Sequence, residues 1–174
     1  MKKILFSLSI LSILFITSCG KDDGGDIQIG LSGTLTYDGN AISITDGLFG
    51  EHAEDGSYAA TFFLADGPLS YDASTDEASF QGEILISVII FSQGDSFQSG
   101  VYSLDLSGNK GALVLVADAN NAANGGAFAS GGTVNITGSG NVYTLTFDVD
   151  IDTDITLTGS ATGGFEIIDL SSVQ

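Results

Sequence analysis

Between Ile27 and Ile168 the apolar residues recur at every second position or run together in short stretches, and nowhere do they keep a 3.6-residue period over eleven residues or more. A period of two places successive side chains on opposite faces of a pleated strand. The clearest example is NVYTLTFDVDID, where Tyr143, Leu145, Phe147, Val149 and Ile151 alternate with Thr and Asp. Between such stretches stand Asp and Gly. Asp outnumbers Glu 17 to 5 and there are 24 glycines, the residues that cap their own backbone or adopt positive φ in tight turns. About ten short strands joined by tight turns predict an all-β domain, an antiparallel β-sandwich, with a closed up-and-down barrel as the alternative.

The strands read in order. Ile27 to Tyr37 and Ile42 to Ile44 form a hairpin about Asp38–Gly39–Asn40, and Asp46 to Gly56 reads as an acidic loop with Leu48 and Phe49 embedded in it. Tyr58 to Leu64 is a strand, ended by the sole proline, Pro68. The run from Ile84 to Phe91 is β-branched at Ile84, Ile86, Val88, Ile89 and Ile90, which favours a central strand. Its second face carries Leu85, Ile89 and Phe91, so something must cover that face too. Asp118 to Gly126 reads as a polar loop, and the segments from Val134 to Ile168 read as an antiparallel meander.

The first residues are of a different kind. Lys2 and Lys3 precede an apolar region of 13 residues, Ile4 to Ile16, and Thr17, Ser18 and Cys19 follow at once. A short positive region, an apolar region and small residues make a signal peptide, and 13 residues fall short of the roughly 20 that span a bilayer. The sequence Ile16-Thr17-Ser18-Cys19 resembles the lipobox of bacterial lipoproteins. That resemblance implies cleavage between Ser18 and Cys19 and acylation of Cys19, the only cysteine. Three acyl chains would anchor the protein stably, since two suffice. Lys21-Asp22-Asp23 resembles the export signal of surface lipoproteins of Bacteroidota, which implies an outer-membrane protein facing the cell exterior, the periplasmic face being the alternative. Ser99 to Tyr102, SGGTVNI, NVYTLTF and ITLTG resemble small all-β lipoproteins of that kind, a likeness that speaks to fold and location and names no activity. The organisation read this way is a signal peptide at 1–18, a lipidated cysteine and acidic tether at 19–26, and a single all-β domain at 27–174.

Composition narrows the function. Without residues 1–18 the chain sets 22 acidic side chains against Lys21 and Lys110, a formal charge near −20, which repels nucleic acid and anionic headgroups. It suits cations or a neutral partner such as a glycan. There is no Arg and no Trp, so the best bidentate anion clamp and the best sugar-stacking ring are both missing. Asp148, Asp150 and Asp152 share one strand face and are the candidate Ca²⁺ ligands, although the glycine and glutamate of a calcium-binding EF-hand loop are missing at their places; a solvated acidic face is the alternative. His52, the only histidine, stands among Asp46, Glu51, Glu54 and Asp55 with no second histidine or free thiol to build a zinc site. No G-x-S-x-G elbow is present, and the glycine-rich pieces do not lead into helices that would cradle phosphate. Tyr37 and Tyr71, each beside an Asp, with Asn120, Asn121 and Asn124 of the polar loop, are the candidate ligand-binding residues. The reading is a non-enzymatic binding or structural module with a glycan or envelope-protein partner. The alternatives are a small hydrolase using a carboxylate pair and a calcium-stabilised envelope component.

Overall fold

A computed structural model describes residues 30–54, 56–72, 77–106, 108–120 and 126–168. Ser18, Cys19, Asn121 and Asn124 lie outside the described residues. The domain is all-β and, among the described residues, contains no α-helix; no helix there is long and apolar enough to cross a membrane.

Among the described residues fourteen strands succeed one another: β1 (Ser32–Tyr37), β2 (Asn40–Ile44), β3 (Asp46–Glu54), β4 (Ser57–Ala65), β5 (Leu69–Asp72), β6 (Glu77–Phe80), β7 (Ile84–Gln93), β8 (Gly100–Ser103), β9 (Lys110–Asp118), β10 (Ala127–Phe128), β11 (Gly131–Ser139), β12 (Val142–Asp152), β13 (Ile155–Gly164) and β14 (Glu166–Ile167). Twelve of them form one sheet in the order β14-β3-β4-β7-β9-β8-β11-β12-β13-β1-β2, with β10 added to β9. The remaining two, β5 and β6, form a separate hairpin. Where two stacked sheets or a closed barrel were expected, a single continuous sheet curls over so that its halves face each other.

The chain's own path enforces the curl. β2 lies at one end of the sheet order and runs straight on into β3, next to the other end. β13 likewise leads through Phe165 into β14, which pairs parallel to β3 at Glu166↔Leu48 and Ile167↔Phe49. Two strands that turn a corner between opposite ends of one sheet can do so only if those ends are brought together. The last segment of the C-terminal part is therefore not a further antiparallel step of the meander. Glycines relieve the curvature. Gly159 of β13 has φ +113, and a Cβ there would lie 2.6 Å from the Thr34 carbonyl oxygen of β1.

Inside the curl the two halves share one apolar core. β12 buries Tyr143, Leu145, Phe147, Val149 and Ile151 and exposes Asp148, Asp150 and Asp152, the alternation that its sequence dictates. β4 contributes Tyr58, Ala60, Phe62 and Leu64 from the opposite half. The rings meet in the middle: Phe62 lies 4.8 Å from Phe49, 5.1 Å from Tyr143 and 5.4 Å from Phe165, centroid to centroid. The edge-on approach of Phe62 to Tyr143 sets positive ring edges against a negative face.

β7 is central, paired along its length with β4 and β9. Its second face does find cover, but only at one end. There the β5–β6 hairpin lays Leu69, Tyr71 and Phe80 over Leu48, Phe63, Ala65 and Leu85. Ile89 remains half-buried and Phe91 exposed.

Of the segment read as an acidic loop, Asp46 to Gly56, residues Asp46–Glu54 are strand β3, paired with β4 from Asp46↔Ala65 to Glu54↔Ser57. Leu48 is buried under the hairpin and Phe49 in the main core, on opposite faces of one strand. A strand buried on both faces has no period of two to read.

Candidate functional site

β1 and β2 are joined by Asp38 (φ 49) and Gly39 (φ 74), the two positive φ values of a type I′ hairpin turn. Asn40 Nδ2 donates to the Asp38 carbonyl at 3.1 Å and steadies it. Among the described residues β2 pairs with β1 alone, and no described strand takes its other edge.

That edge runs across the ends of β4, β7 and β9. At one end the Thr45 N–H donates to the Ala65 carbonyl at 2.9 Å. The far rim is itself tied together, Asp66 N–H to Ile84 C=O at 3.4 Å and Ala119 N–H to Glu83 C=O at 2.7 Å. Between the pinned end and the turn the seam opens into a cleft of about 560 Å³. Tyr37, Asp38, Asn40 and the edge from Ala41 to Ser43 line one wall; Asp66, Glu83, Asp118 and Asn120 line the other.

Tyr37 is half-buried against the core. Burial, with Asp118 and then Asp38 adding negative charge, holds its phenol above the ordinary range, so at neutral pH it stands as a hydrogen-bond donor with an apolar ring. Two carboxylates are fixed by backbone donors. Asp66 Oδ1 accepts from Glu83 N at 2.9 Å and Ile84 N at 3.1 Å, and Asp118 Oδ1 accepts from Asn120 N at 2.8 Å. A cleft lined by a phenol, two amides and four carboxylates offers donors and acceptors to a polyol and attraction to a cation. No lysine lines it.

The sequence-derived candidates separate in space. Tyr37 and Asn120 meet in the cleft. Tyr71 does not join them; it packs on the second, smaller core beneath the hairpin. Tyr58, Tyr102 and Tyr143 are buried. Asp38, Asp66, Glu83 and Asp118 joined the site without a sequence signal of their own, because each looked like an ordinary turn or strand-end acid.

Asp148, Asp150 and Asp152 point outward from β12. Asp148 is flanked across the sheet by Thr133 and Thr158, and Asp150 by Gly131 and Thr156, so no neighbouring strand brings a further acid. Alternate residues of a strand are about 6.8 Å apart. Three in a row therefore spread over about 14 Å, too far for one Ca²⁺ with ligands at about 2.4 Å. Among the described residues no group of three or more His, Cys, Asp or Glu is arranged to hold a metal ion.

A second depression, about 670 Å³, lies on the outer face beside His52, with Ala59, Phe91, Leu106 and Gly111 among its lining. His52 sits on strand β3 rather than at a loop tip, opposite Ala59. Among the described residues no carboxylate or lysine lines this depression. No protein-family model, curated protein or solved structure matches the chain.

Proposed function

We propose that the protein is a lipid-anchored, non-enzymatic binding module of the outer membrane, facing the cell exterior, which holds a glycan or an envelope protein in the seam cleft. The observation that carries this reading is the meeting of Tyr37, Asn40 and Asn120 with Asp38, Asp66, Glu83 and Asp118 in one concavity. Binding sites are concave and use a few convergent polar groups to orient a ligand. The leader ending in Ile16-Thr17-Ser18-Cys19 supports the anchor, and Lys21-Asp22-Asp23 supports display, with the periplasmic face as the alternative. Asp66 and Asp118 serve as acceptors for backbone N–H groups, a scaffolding role that favours binding over proton transfer.

The gathering of four carboxylates also favours one second reading, a carboxylate-pair hydrolase in the same cleft. Glycan-array screening of the mature lipoprotein in detergent, with Tyr37→Ala and Asp118→Asn as controls, tests the first reading. Binding that both substitutions weaken supports it; ligand binding indifferent to both removes the cleft as the site. Turnover of a bound glycan would move the assignment to the hydrolase. Intact mass of the native protein tests the anchor, since an unmodified Cys19 or a retained leader overturns it. Survival of full-length protein on protease-treated intact cells counts against display.

A further inference from the structure

We infer that the seam cleft receives an extended, lysine- or arginine-bearing peptide that adds to β2 as a further strand; this rests on the reading of the cleft as a binding site and names its partner.

The geometry of the edge comes first. In a hairpin closed by a two-residue turn, the residues flanking the turn exchange both of their hydrogen bonds, and the pairs alternate from there. Tyr37/Asn40, Leu35/Ile42 and Gly33/Ile44 are thus the bonded pairs of β1 and β2. Ala41 and Ser43 sit opposite Thr36 and Thr34 in the intervening pairs, so their N–H and C=O groups point away from β1, along the wall of the cleft. Among the described residues one backbone hydrogen bond from this side crosses the seam, Thr45 to Ala65. Ala41 and Ser43 offer two donors and two acceptors in the spacing that an added strand requires.

The edge also lacks the usual protection. β2 is NAISI, with no lysine, no proline and no bulge, and Asn40, Ala41 and Ser43 are exposed. What guards it is negative charge: Asp38 at the turn, and Asp66, Glu83 and Asp118 across the gap. Among the described residues the sole lysine is Lys110, whose Nζ donates to the Ser99 carbonyl at 2.7 Å at the opposite end of β9. A second copy of a chain with a formal charge of −18 is repelled from this edge. A cationic strand is drawn to it. β2 spans about 14 Å, room for about five extended residues.

The test uses the full mature lipoprotein in detergent and a short capped peptide alternating lysine and valine. Binding is followed by calorimetry, and amide exchange is followed at Ala41 and Ser43. The lysine peptide is expected to bind, to weaken as salt rises, and to protect both amides. The same peptide N-methylated at alternate amides is expected to bind about tenfold more weakly, and a glutamate–valine peptide not to bind. Ser43→Pro removes an edge donor that β1 does not use, so the fold persists and peptide affinity falls about fivefold or more. Glu83→Gln and Asp118→Asn each lower affinity severalfold, most at low salt. Equal binding of the N-methylated and unmodified peptides overturns strand addition, whatever Ser43→Pro does to folding. If no peptide binds while a glycan does, and Asp118→Asn abolishes that binding, the inference fails and the proposed function stands. If neither binds, both fall.

Discussion

Phe62→Ala is the sharpest probe of how the two halves of the sheet hold together. Phe62 is fully buried on β4, and its three ring partners come from β3 (Phe49), β12 (Tyr143) and the β13–β14 corner (Phe165). Truncating a buried phenylalanine costs about 3–5 kcal/mol through lost transfer energy and the cavity left behind. Ring-pair geometry adds about 0.5–1.5 kcal/mol per pair, partly included already, so about 4–5 kcal/mol is expected. Against a total stability of about 5–15 kcal/mol that is a large share. For a domain of this size it lowers the melting temperature by about 8–20 °C. Urea unfolding should be followed by far-ultraviolet circular dichroism and by tyrosine fluorescence, the chain having no tryptophan. Thr61→Ala, one residue away on the outer face, is the control and should cost less than about 1 kcal/mol. A loss below about 1.5 kcal/mol for Phe62→Ala would refute packing of the halves through this ring. Separate transitions for the two probes would refute a single shared core.

Three further outcomes follow from other parts of the molecule. Gly159→Ala forces a side chain into φ +113 and to within 2.6 Å of the Thr34 carbonyl, and should cost about 2–3 kcal/mol in denaturant melts, whereas Gly140→Ala, at φ +64 with open space, should cost about 1 kcal/mol; equal losses would deny that Gly159 serves the curl. Burial, and then the hydrogen bond and charge of Glu51, push the Tyr58 phenol far above its usual value, and burial with Glu51 and Tyr102 pushes Tyr143 up to about 12. Unfolded tyrosines ionise near ~10, so the stability held by keeping these phenols neutral is complete below about pH 10 and falls between about pH 10 and 12, by at most about 1.4 kcal/mol per pH unit for each; urea midpoints unchanged up to pH ~11.5 would contradict this. Asp66→Ala leaves the Glu83 and Ile84 N–H groups without their acceptor and should cost about 2 kcal/mol by chemical denaturation, and a loss under about 0.5 kcal/mol would mean that water replaces the carboxylate freely.

The all-β class was legible because most strands bury one face only. β12 alternates without error from Tyr143 to Asp152, and β11 and β13 pair on either side of it as a meander should. The need for cover over Leu85 was legible too, but not what supplies it, since hairpin β5–β6 reaches that face by a fold-back that no periodicity encodes. β3 was hidden because burial on both faces erased its alternation, leaving Asp46, Glu51 and His52 to suggest a loop. The joining of two layers into one sheet depends on corners at Thr45 and Phe165, where the chain changes neighbours although Asp46-Gly47 and Gly163-Gly164 beside them lie within strands. Tyr37 and Asn120 stood out as residue types, but that they face each other follows from β2 crossing the end of β9. Sequence pattern reports on faces; proximity between distant strands is a tertiary property.

The wiring of the sheet also governs when the fold can form. Ser32 lies opposite Thr162, and Glu166 opposite Leu48, so residues near the two ends of the described chain are mutual neighbours. Closing loops of that length is slow, on the order of milliseconds to seconds for β proteins of high contact order. β1 pairs with β2 locally but gains its second neighbour only from β13, far along the chain, whereas β3, β4, β7 and β9 pair in succession without the C-terminal strands. A sheet wired this way takes its final curvature only once β13 and β14 have found β1 and β3, so the closure of the curl is the slow event of folding.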